Sequence, residues 1–281
     1  MKRRTLEYDY DWMQWAMFTN AIKFFDGTPK EINGFIKLLP SFEPLLKFLL
    51  GQGEGGRLIV KVVDEYVTRI RNASQNGEKL LLSTFMCNQL LFNAFDGLQP
   101  MCAEALTGFA TLAFLQGNSE YFDYCCEKGF TETSCSAQRG IIGALMADCC
   151  RAKPDLCVIG AAGPCDTNAN AMQFYADYTG VPLLTLEIPP QLVSERSEAY
   201  EVRDLEELIE QIEKITGARL NENKLRGLLT EKKKQDEILC EIYDLMRLVP
   251  NPVPASLQWF AYVSNIFAAG TQTQTELYQE V

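Results

Sequence analysis

Two cysteines stand where a thiolate could bind a metal or a reactive ligand. Cys135 lies in the polar stretch TETSCS (131–136), just before a helical pattern, and Cys165 lies in GAAGPCDTNAN (160–170), just after a short apolar run. Both positions are predicted helix starts, where free backbone N–H groups and the helix dipole stabilise negative charge. The two residues are 30 positions apart. That spacing matches neither a CxxC pair nor a ferredoxin run, so a metal site, a redox thiol pair and ordinary packing all remain open.

Polar and small residues around the two cysteines could complete such a site. Side-chain oxygens just before or inside a first helical turn often cap its N–H groups. The candidates for this role are Ser134, Ser136, Asp166 and Thr167. Gly160 and Gly163 would let the backbone come close to a bulky ligand. The residues predicted to contact a bound cofactor are Ser136, Gly163 and Asp166.

The amino-acid composition limits the kinds of catalytic and metal site that the chain can form. The chain has 281 residues with ten cysteines and no histidine. It therefore lacks the commonest general base and the commonest zinc ligand. No secretion signal precedes the cysteines, so a disulfide framework is not expected. Six cysteines fall in helix or strand patterns and are predicted to be core residues: Cys125, Cys126, Cys149, Cys150, Cys157 and Cys240.

The net charge and the hydropathy of the sequence argue against nucleic-acid binding, membrane insertion and secretion. The net charge of −11 disfavours nucleic-acid binding, which depends on basic surfaces. No apolar run reaches the ~18–20 residues that cross a membrane, and the N-terminus lacks the apolar stretch of a signal peptide. The expectation is a cytoplasmic protein. Neither a Walker phosphate loop nor a G-x-S-x-G nucleophile motif is present.

The elements that must position the cysteines form an alternating pattern. Predicted strands at 79–85, 156–160 and 183–188 are separated by helical segments, which indicates parallel βαβ units and a doubly wound sheet. The stretches 51–56 and 97–100 are predicted to be breaks because they contain clustered Gly and Pro.

This pattern divides the chain into three parts. They are a helical N-terminal segment (1–75), an α/β domain (76–190) and a charged helical segment (191–281). Aromatic residues concentrated in the first 25 positions would cover one face of the α/β domain or form a subunit interface.

Three ordered blocks resemble one known family. TSCSAQRGIIGALMA, KPDLCVIGAAGPCD and TGVPLLTLEIP are similar to segments of the 2-hydroxyacyl-CoA dehydratase and benzoyl-CoA reductase subunits. FNAFDGLQPM (92–101) also resembles the family segment after its first strand. The resemblance covers residues 76–190 well and extends more loosely to FAAGTQTQTELYQEV at the end of the chain.

The resemblance implies a fold, a cofactor and partners. Each subunit of that family has flavodoxin-like halves and binds one [4Fe–4S] cluster through three cysteines, of which Cys135 and Cys165 would be two. The partners would be a second, related dehydratase subunit, an ATP-dependent activator protein and an acyl-CoA substrate. The activator injects one electron, which allows an anaerobic, radical-type loss of the 2-hydroxyl group or, in the reductases, reduction of an aromatic ring. The chain would then be a component of a dehydratase-type lyase.

The sequence departs from the family pattern in two places. The third ligand of the family comes from a C-terminal half that would begin where this chain ends, at Val281, and Cys240 is a poor substitute for it. The chain alone is thus expected to hold a cluster poorly or not at all. The Pro-Glu pair after the first family strand is also replaced by the residues 86–89, with Cys87 a weak candidate ligand. Two alternatives therefore stay open: a non-catalytic flavodoxin-like binding or assembly module without a cluster, and a zinc or redox-thiol protein.

Overall fold

The computed structural model describes residues 53–85, 87, 89–107, 119–147, 152–161, 165–187 and 194–281. Its helices are α1 (Gly53–Asn76), α2 (Gln89–Asn93), α3 (Ser119–Glu127), α4 (Ser136–Met146), α5 (Asp166–Thr179), α6 (Glu195–Thr216), α7 (Glu222–Leu245), α8 (Ala255–Phe267) and α9 (Gln272–Glu280). Its strands are β1 (Lys79–Ser83), β2 (Phe95–Asp96), β3 (Leu98–Cys102), β4 (Leu156–Ala161), β5 (Leu183–Glu187) and β6 (Arg219–Leu220). A further helical segment begins at Ala103.

Four strands form one parallel sheet in the order β3-β1-β4-β5. The chain thus passes from β1 to one side, crosses back over it and continues to the other side, which is the strand order of flavodoxin-like α/β folds. The predicted doubly wound α/β fold is confirmed. β2 and β6 form a separate antiparallel pair outside this sheet.

Alternate residues of the strands face two hydrophobic cores, one on each side of the sheet. Leu80 and Leu82 belong to the core that α1, α4, α5 and α9 cover, whereas Leu81 faces the core that α2 and α6 cover. β4 divides in the same way, with Cys157 and Ile159 on the first side. Helices on both faces explain why these strands read as continuous apolar runs rather than as alternating ones.

Helix α1 shows how the sequence pattern produces this packing. Leu58, Val62, Tyr66 and Ile70 recur every four residues and are almost fully buried. Burial of such a side chain contributes about 1.5–3 kcal/mol before the cost of ordering it. The predicted break at 51–56 is wrong from Gly53 onward, because α1 begins there.

The predicted break at 97–100 is correct at Gly97, which is a turn residue, but wrong after it, because β3 begins at Leu98. Pro100 pairs with Leu81 in the parallel register, although proline cannot donate a hydrogen bond to a neighbouring strand. The position is tolerated because β3 is the edge of the sheet. The proline signal therefore marked an edge strand rather than a turn.

Asp155 fixes the amino-terminal edge of the sheet. Its carboxylate accepts hydrogen bonds from the backbone N–H of Leu80 at 2.9 Å and from Lys79 Nζ at 2.7 Å. The Pro-Asp-Leu motif thus joins the beginnings of β1 and β4, at the end of the sheet opposite to the cysteines. Among the described residues, no helix is long and apolar enough to cross a membrane.

Candidate functional site

The carboxyl ends of β1, β3 and β4 form the candidate site. In open α/β sheets, ligands bind beyond the carboxyl ends of the strands, at the point where the strand order reverses. Here that point lies between β1 and β4. The segments leaving this edge carry Phe85 after β1, Glu104 after β3 and Cys165 after β4.

Cys135 and Cys165 are the N-cap residues of α4 and α5. Both were predicted at helix starts, and this is confirmed. The predicted side-chain caps are wrong, because the N-cap positions are the cysteines themselves and neither makes a side-chain cap hydrogen bond. Cys135 is exposed and Cys165 is half-buried. Each thiol thus stands at the positive end of a helix whose first N–H groups are left without an N-cap side chain.

A side-chain contact joins the first turns of these two helices. Gln138 Nε2 donates a hydrogen bond to Asn168 Oδ1, and both residues are 1% exposed. Gln138 lies three residues after Cys135, and Asn168 lies three residues after Cys165. The structure therefore connects the two helix starts that carry the cysteines. We predict that the thiols of Cys135 and Cys165 face one crevice at the carboxyl edge of the sheet.

Glu104 supplies a carboxylate at this edge. It accepts hydrogen bonds from the backbone N–H of Phe85 at 3.0 Å and from Gln138 Nε2 at 2.6 Å. The thiol of Cys102 donates to it at 3.3 Å. Burial raises the pKa of the Glu104 carboxyl above its usual range, and these hydrogen bonds oppose the shift.

Glu104, Gln138 and Asn168 were not predicted as site residues from the sequence. The carboxylate that the family carries after its first strand is missing from residues 86–89, whereas Glu104 reaches the end of β1 from the neighbouring strand. One signal could have found the pair Gln138–Asn168: an amide residue stands three positions after each candidate cysteine. That position faces the preceding turn of its own helix, close to the N-cap.

Two of the three residues predicted to contact a cofactor occupy the same position in their helices. Ser136 and Asp166 are the first residues of α4 and α5, and both are exposed. Gly163 lies outside the described residues. Ser136 and Asp166 thus accompany the two cysteines at the same two helix starts, as positions available to a bound ligand.

The other cysteines separate into three groups. Cys87, Cys102, Cys125 and Cys157 are buried, whereas Cys240 is exposed and Cys126 is half-buried. The prediction of core packing is therefore wrong for Cys240, because α7 presents that position to solvent, and for Cys126. Cys149 and Cys150 lie outside the described residues.

Cys87 is held as a thiol rather than a thiolate. Burial raises its pKa to about 11, and its Sγ donates to the carbonyl of Val158 at 3.5 Å. Burial also raises the pKa of Cys157, to about 12. Neither residue presents the thiolate that a soft metal requires.

The side chains at the starts of α4 and α5 supply some, but not all, of the ligands that a thiolate-bound metal requires. Sulfur ligands favour iron–sulfur clusters and zinc, and helix N-termini favour a negatively charged group. However, in the described ranges no three Cys, Asp or Glu side chains group together as metal ligands. Cys135 and Cys165 would therefore hold such a cofactor together with a donor from outside these residues.

Comparison with known proteins identifies the family of the chain but assigns no site residues. No curated protein matches the chain significantly. A sequence model of the family described as 2-hydroxyglutaryl-CoA dehydratase, D-component, matches residues 84–281. The match includes β3, β4, β5 and both cysteine-capped helices. Because it covers well over half of the chain, the protein belongs to the 2-hydroxyglutaryl-CoA dehydratase D-component family.

Proposed function

We propose that the chain is a component of a radical-type 2-hydroxyacyl-CoA dehydratase, in which Cys135 and Cys165 supply two thiolate ligands to a [4Fe–4S] cluster. The observation that carries the proposal is the hydrogen bond between Gln138 and Asn168, which joins the two cysteine-capped helix starts. Family membership supports the reaction class. The same proposal covers a benzoyl-CoA reductase-like reaction as the alternative activity of this component.

The residues around the cysteines have distinct tasks in this proposal. A bound cluster supplies single electrons. The N–H groups at the starts of α4 and α5 stabilise the negative charge of the thiolates. Gln138 and Asn168 fix the separation of the two helix starts, and Glu104 fixes Gln138 through the hydrogen bond to its Nε2.

The proposal includes two protein partners and one substrate. A D-component is one part of an assembly, so a second, related dehydratase subunit would complete the enzyme. An ATP-dependent activator would deliver the electron. The substrate would be an acyl-CoA thioester bound near the carboxyl edge of the sheet.

The cluster assignment is tested by anaerobic reconstitution with ferrous iron and sulfide. Bound iron and acid-labile sulfide are measured in the unmodified chain and in Cys135→Ala, Cys165→Ala and Cys240→Ala. We expect the first two variants to lose most of the iron and sulfide that the unmodified chain retains. Cys240→Ala is the matched control, because Cys240 is also an exposed thiol but lies on α7, far along the chain from either helix start.

A second readout covers the case in which the chain alone holds little iron. Reconstituted and metal-free samples are alkylated briefly, and the modified cysteines are identified by mass spectrometry. Even a weakly held cluster should slow modification of Cys135 and Cys165 together and leave Cys240 unchanged. Equal modification rates in a reconstituted sample that retains bound iron would refute the ligand assignment.

A second candidate function is a binding or assembly module without a cluster. It is favoured by the observation that the described residues bring no three candidate ligands together. In that case, Cys135 and Cys165 would remain freely reactive after reconstitution, while the fold and the binding of a partner subunit would be unaffected by either alanine substitution.

A further inference from the structure

A carboxyl group and two side-chain amides form a continuous line of hydrogen bonds across the candidate site. Glu104 Oε1 accepts a hydrogen bond from Gln138 Nε2 at 2.6 Å, and the same nitrogen donates to Asn168 Oδ1. Gln138 and Asn168 are each 1% exposed. One nitrogen of Gln138 thus donates to two acceptors that belong to different segments of the chain.

The second carboxyl oxygen of Glu104 already accepts from two donors. Glu104 Oε2 accepts from the backbone N–H of Phe85 at 3.0 Å and from the thiol of Cys102 at 3.3 Å. A backbone N–H can only donate, so a proton on Oε2 would oppose it. The proton of a neutral Glu104 therefore belongs on Oε1, where it points at the amide of Gln138.

A proton on Oε1 is incompatible with the present orientation of the Gln138 amide. The O–H of Glu104 and the N–H of Gln138 would face each other as two donors, which form no hydrogen bond. A half-turn of the amide places Gln138 Oε1 where Nε2 was and restores the contact. That oxygen would then face Asn168 Oδ1, so the amide of Asn168 must also turn and donate from Nδ2.

The far sides of both amides permit this reversal. Gln138 Oε1 and Asn168 Nδ2 are buried and have no hydrogen-bond partner among the described residues. Neither atom therefore loses a described partner when the amides turn. Both orientations contain two hydrogen bonds along the line, and they differ in the direction of donation, which the proton on Glu104 determines.

Glu104 is the group in this network whose charge changes below neutral pH. The titratable groups that face it are Cys102 from the end of β3, Cys87 from the segment after β1 and Tyr66 from α1. Burial raises the pKa of all three, so they stay neutral, and α4 and α5 present the two uncharged amides. Burial also raises the pKa of the Glu104 carboxyl, so its neutral form persists to a higher pH than that of an exposed carboxyl.

We propose that Glu104 is a proton-binding positioning residue, and that gain or loss of one proton reverses the amides of Gln138 and Asn168 together. Ionised Glu104 gives the orientation in the structure, and neutral Glu104 gives the opposite one. The proton is exchanged with solvent water, and no other covalent bond forms or breaks. The switch needs no cofactor, whereas its effect on a cluster held by Cys135 and Cys165 rests on the proposed function.

Side-chain amide resonances measure the orientation of the two amides. The metal-free chain is labelled with the heavy nitrogen isotope in its Asn and Gln side chains, and the resonances are assigned by single substitutions. The resonances of Gln138 and Asn168 should shift with one common midpoint, above the pH of about 4.3 at which an exposed glutamate titrates. The shift of Asn168 is the diagnostic one, because the line of hydrogen bonds reaches Asn168 through Gln138.

Glu104→Gln supplies a form that is locked in the neutral orientation. Its amide N–H replaces the O–H of neutral Glu104, and its carbonyl can still accept from Phe85. Both buried amides should therefore keep their low-pH resonances at every pH. Glu207→Gln is the matched control, because Gln211 donates to Glu207 in an exposed contact, and it should leave the transition of the buried amides unchanged.

Two results would overturn the proposal. One is an Asn168 resonance that stays constant while Glu104 titrates, and the other is a transition of both amides that persists in Glu104→Gln. Denaturant unfolding adds an independent check, since a raised carboxyl pKa contributes stability below about pH 4.3 that is lost as the pH rises through the folded pKa. The free energy of unfolding of Glu104→Gln should fall less over that range, and an equally steep fall would also count against the switch.

These measurements use the metal-free chain, so they do not depend on cluster assembly. If both amides follow Glu104 but Cys135 and Cys165 bind no iron, the switch stands and the cluster assignment fails. If the cluster forms but the amides do not follow Glu104, the switch alone is refuted.

Discussion

Gln138 on α4 donates its side-chain N–H to the side-chain oxygen of Asn168 on α5. Each residue lies three positions after the cysteine that begins its helix, and each is almost fully buried. Gln138 also donates to Glu104, which is bonded to the end of β1. One chain of hydrogen bonds thus connects the carboxyl ends of β1 and β3 with the two helix starts that carry Cys135 and Cys165.

We predict strong energetic coupling between Gln138 and Asn168. Gln138→Ala should lower the free energy of unfolding by about 2–3 kcal/mol, because it leaves buried polar groups on Asn168 and Glu104 without a partner. Asn168→Ala should act similarly, and the double variant should lose less than the sum of the two. Denaturant unfolding measures all three.

Gln211 offers a matched control for this cycle. Among the described residues, its side chain donates to Glu207 of the same helix, in a contact that is exposed to solvent. Gln211→Ala should change stability by no more than about 0.5 kcal/mol. Strict additivity of the Gln138 and Asn168 substitutions would contradict the claim that this contact joins the two helices.

A second prediction concerns the packing of α4 against α3. A Cβ atom added at Gly143 would lie 2.2 Å from the carbonyl oxygen of Tyr121, a backbone atom that cannot move alone. Gly143→Ala should therefore destabilise the fold by about 3 kcal/mol or more. Gly227 on α7 has no neighbour within 4 Å of its added Cβ, so Gly227→Ala should stabilise the fold by about 0.5–1 kcal/mol. Thermal unfolding of both variants checks this contrast, and destabilisation by both would refute it.

A third prediction concerns cysteine reactivity in the metal-free, folded chain. Cys135 and Cys240 are exposed and should be alkylated fastest, with the half-buried Cys165 next. Cys87 and Cys157 should stay unmodified at neutral pH, because burial removes access and raises the thiol pKa to about 11 and about 12. Brief alkylation followed by mass spectrometry gives the order. Early modification of Cys157, with Cys135 protected, would contradict the described positions.

The raised thiol pKa values also predict the sign of a pH effect on stability. A thiol in the unfolded chain has a pKa of about 8.5. Below that pH, Cys87 and Cys157 are protonated in both the folded and the unfolded chain, and their contribution to the free energy of unfolding is fully present. As the pH rises towards their folded pKa values, the unfolded chain releases protons first, so stability falls. Between about pH 7.5 and about pH 9.5, the free energy of unfolding of Cys157→Ala should therefore fall less than that of the unmodified chain. Cys240→Ala, which changes an exposed thiol, should show the full loss.

The sequence was informative where one residue type determines local structure. The apolar runs of β1, β4 and β5 and the alternation of strands with helices predicted the sheet, and the positions of Cys135 and Cys165 predicted two helix starts. The prediction at Pro100 was wrong because proline occurs both in turns and in edge strands. The prediction for Cys240 was wrong because the presence of a cysteine does not distinguish a buried helix face from an exposed one.

The network behind the cysteines could not be predicted in the same way. Glu104, Gln138 and Asn168 come from three separate segments, and each is an ordinary polar residue in its own local sequence. These residues come together because the strand order β3-β1-β4 brings their segments to one edge of the sheet. Long-range polar contacts of this kind are set by topology, which local sequence patterns do not encode.

The central claim is that Cys135 and Cys165 hold one metal cofactor between them. The most direct test is anomalous diffraction at the iron absorption edge from crystals of the anaerobically reconstituted protein. We predict iron density bonded to both Sγ atoms at the starts of α4 and α5, with the hydrogen bond between Gln138 and Asn168 still present. Ordered iron bound away from these two cysteines, or density on only one of them with the other on the opposite face of the sheet, would contradict it.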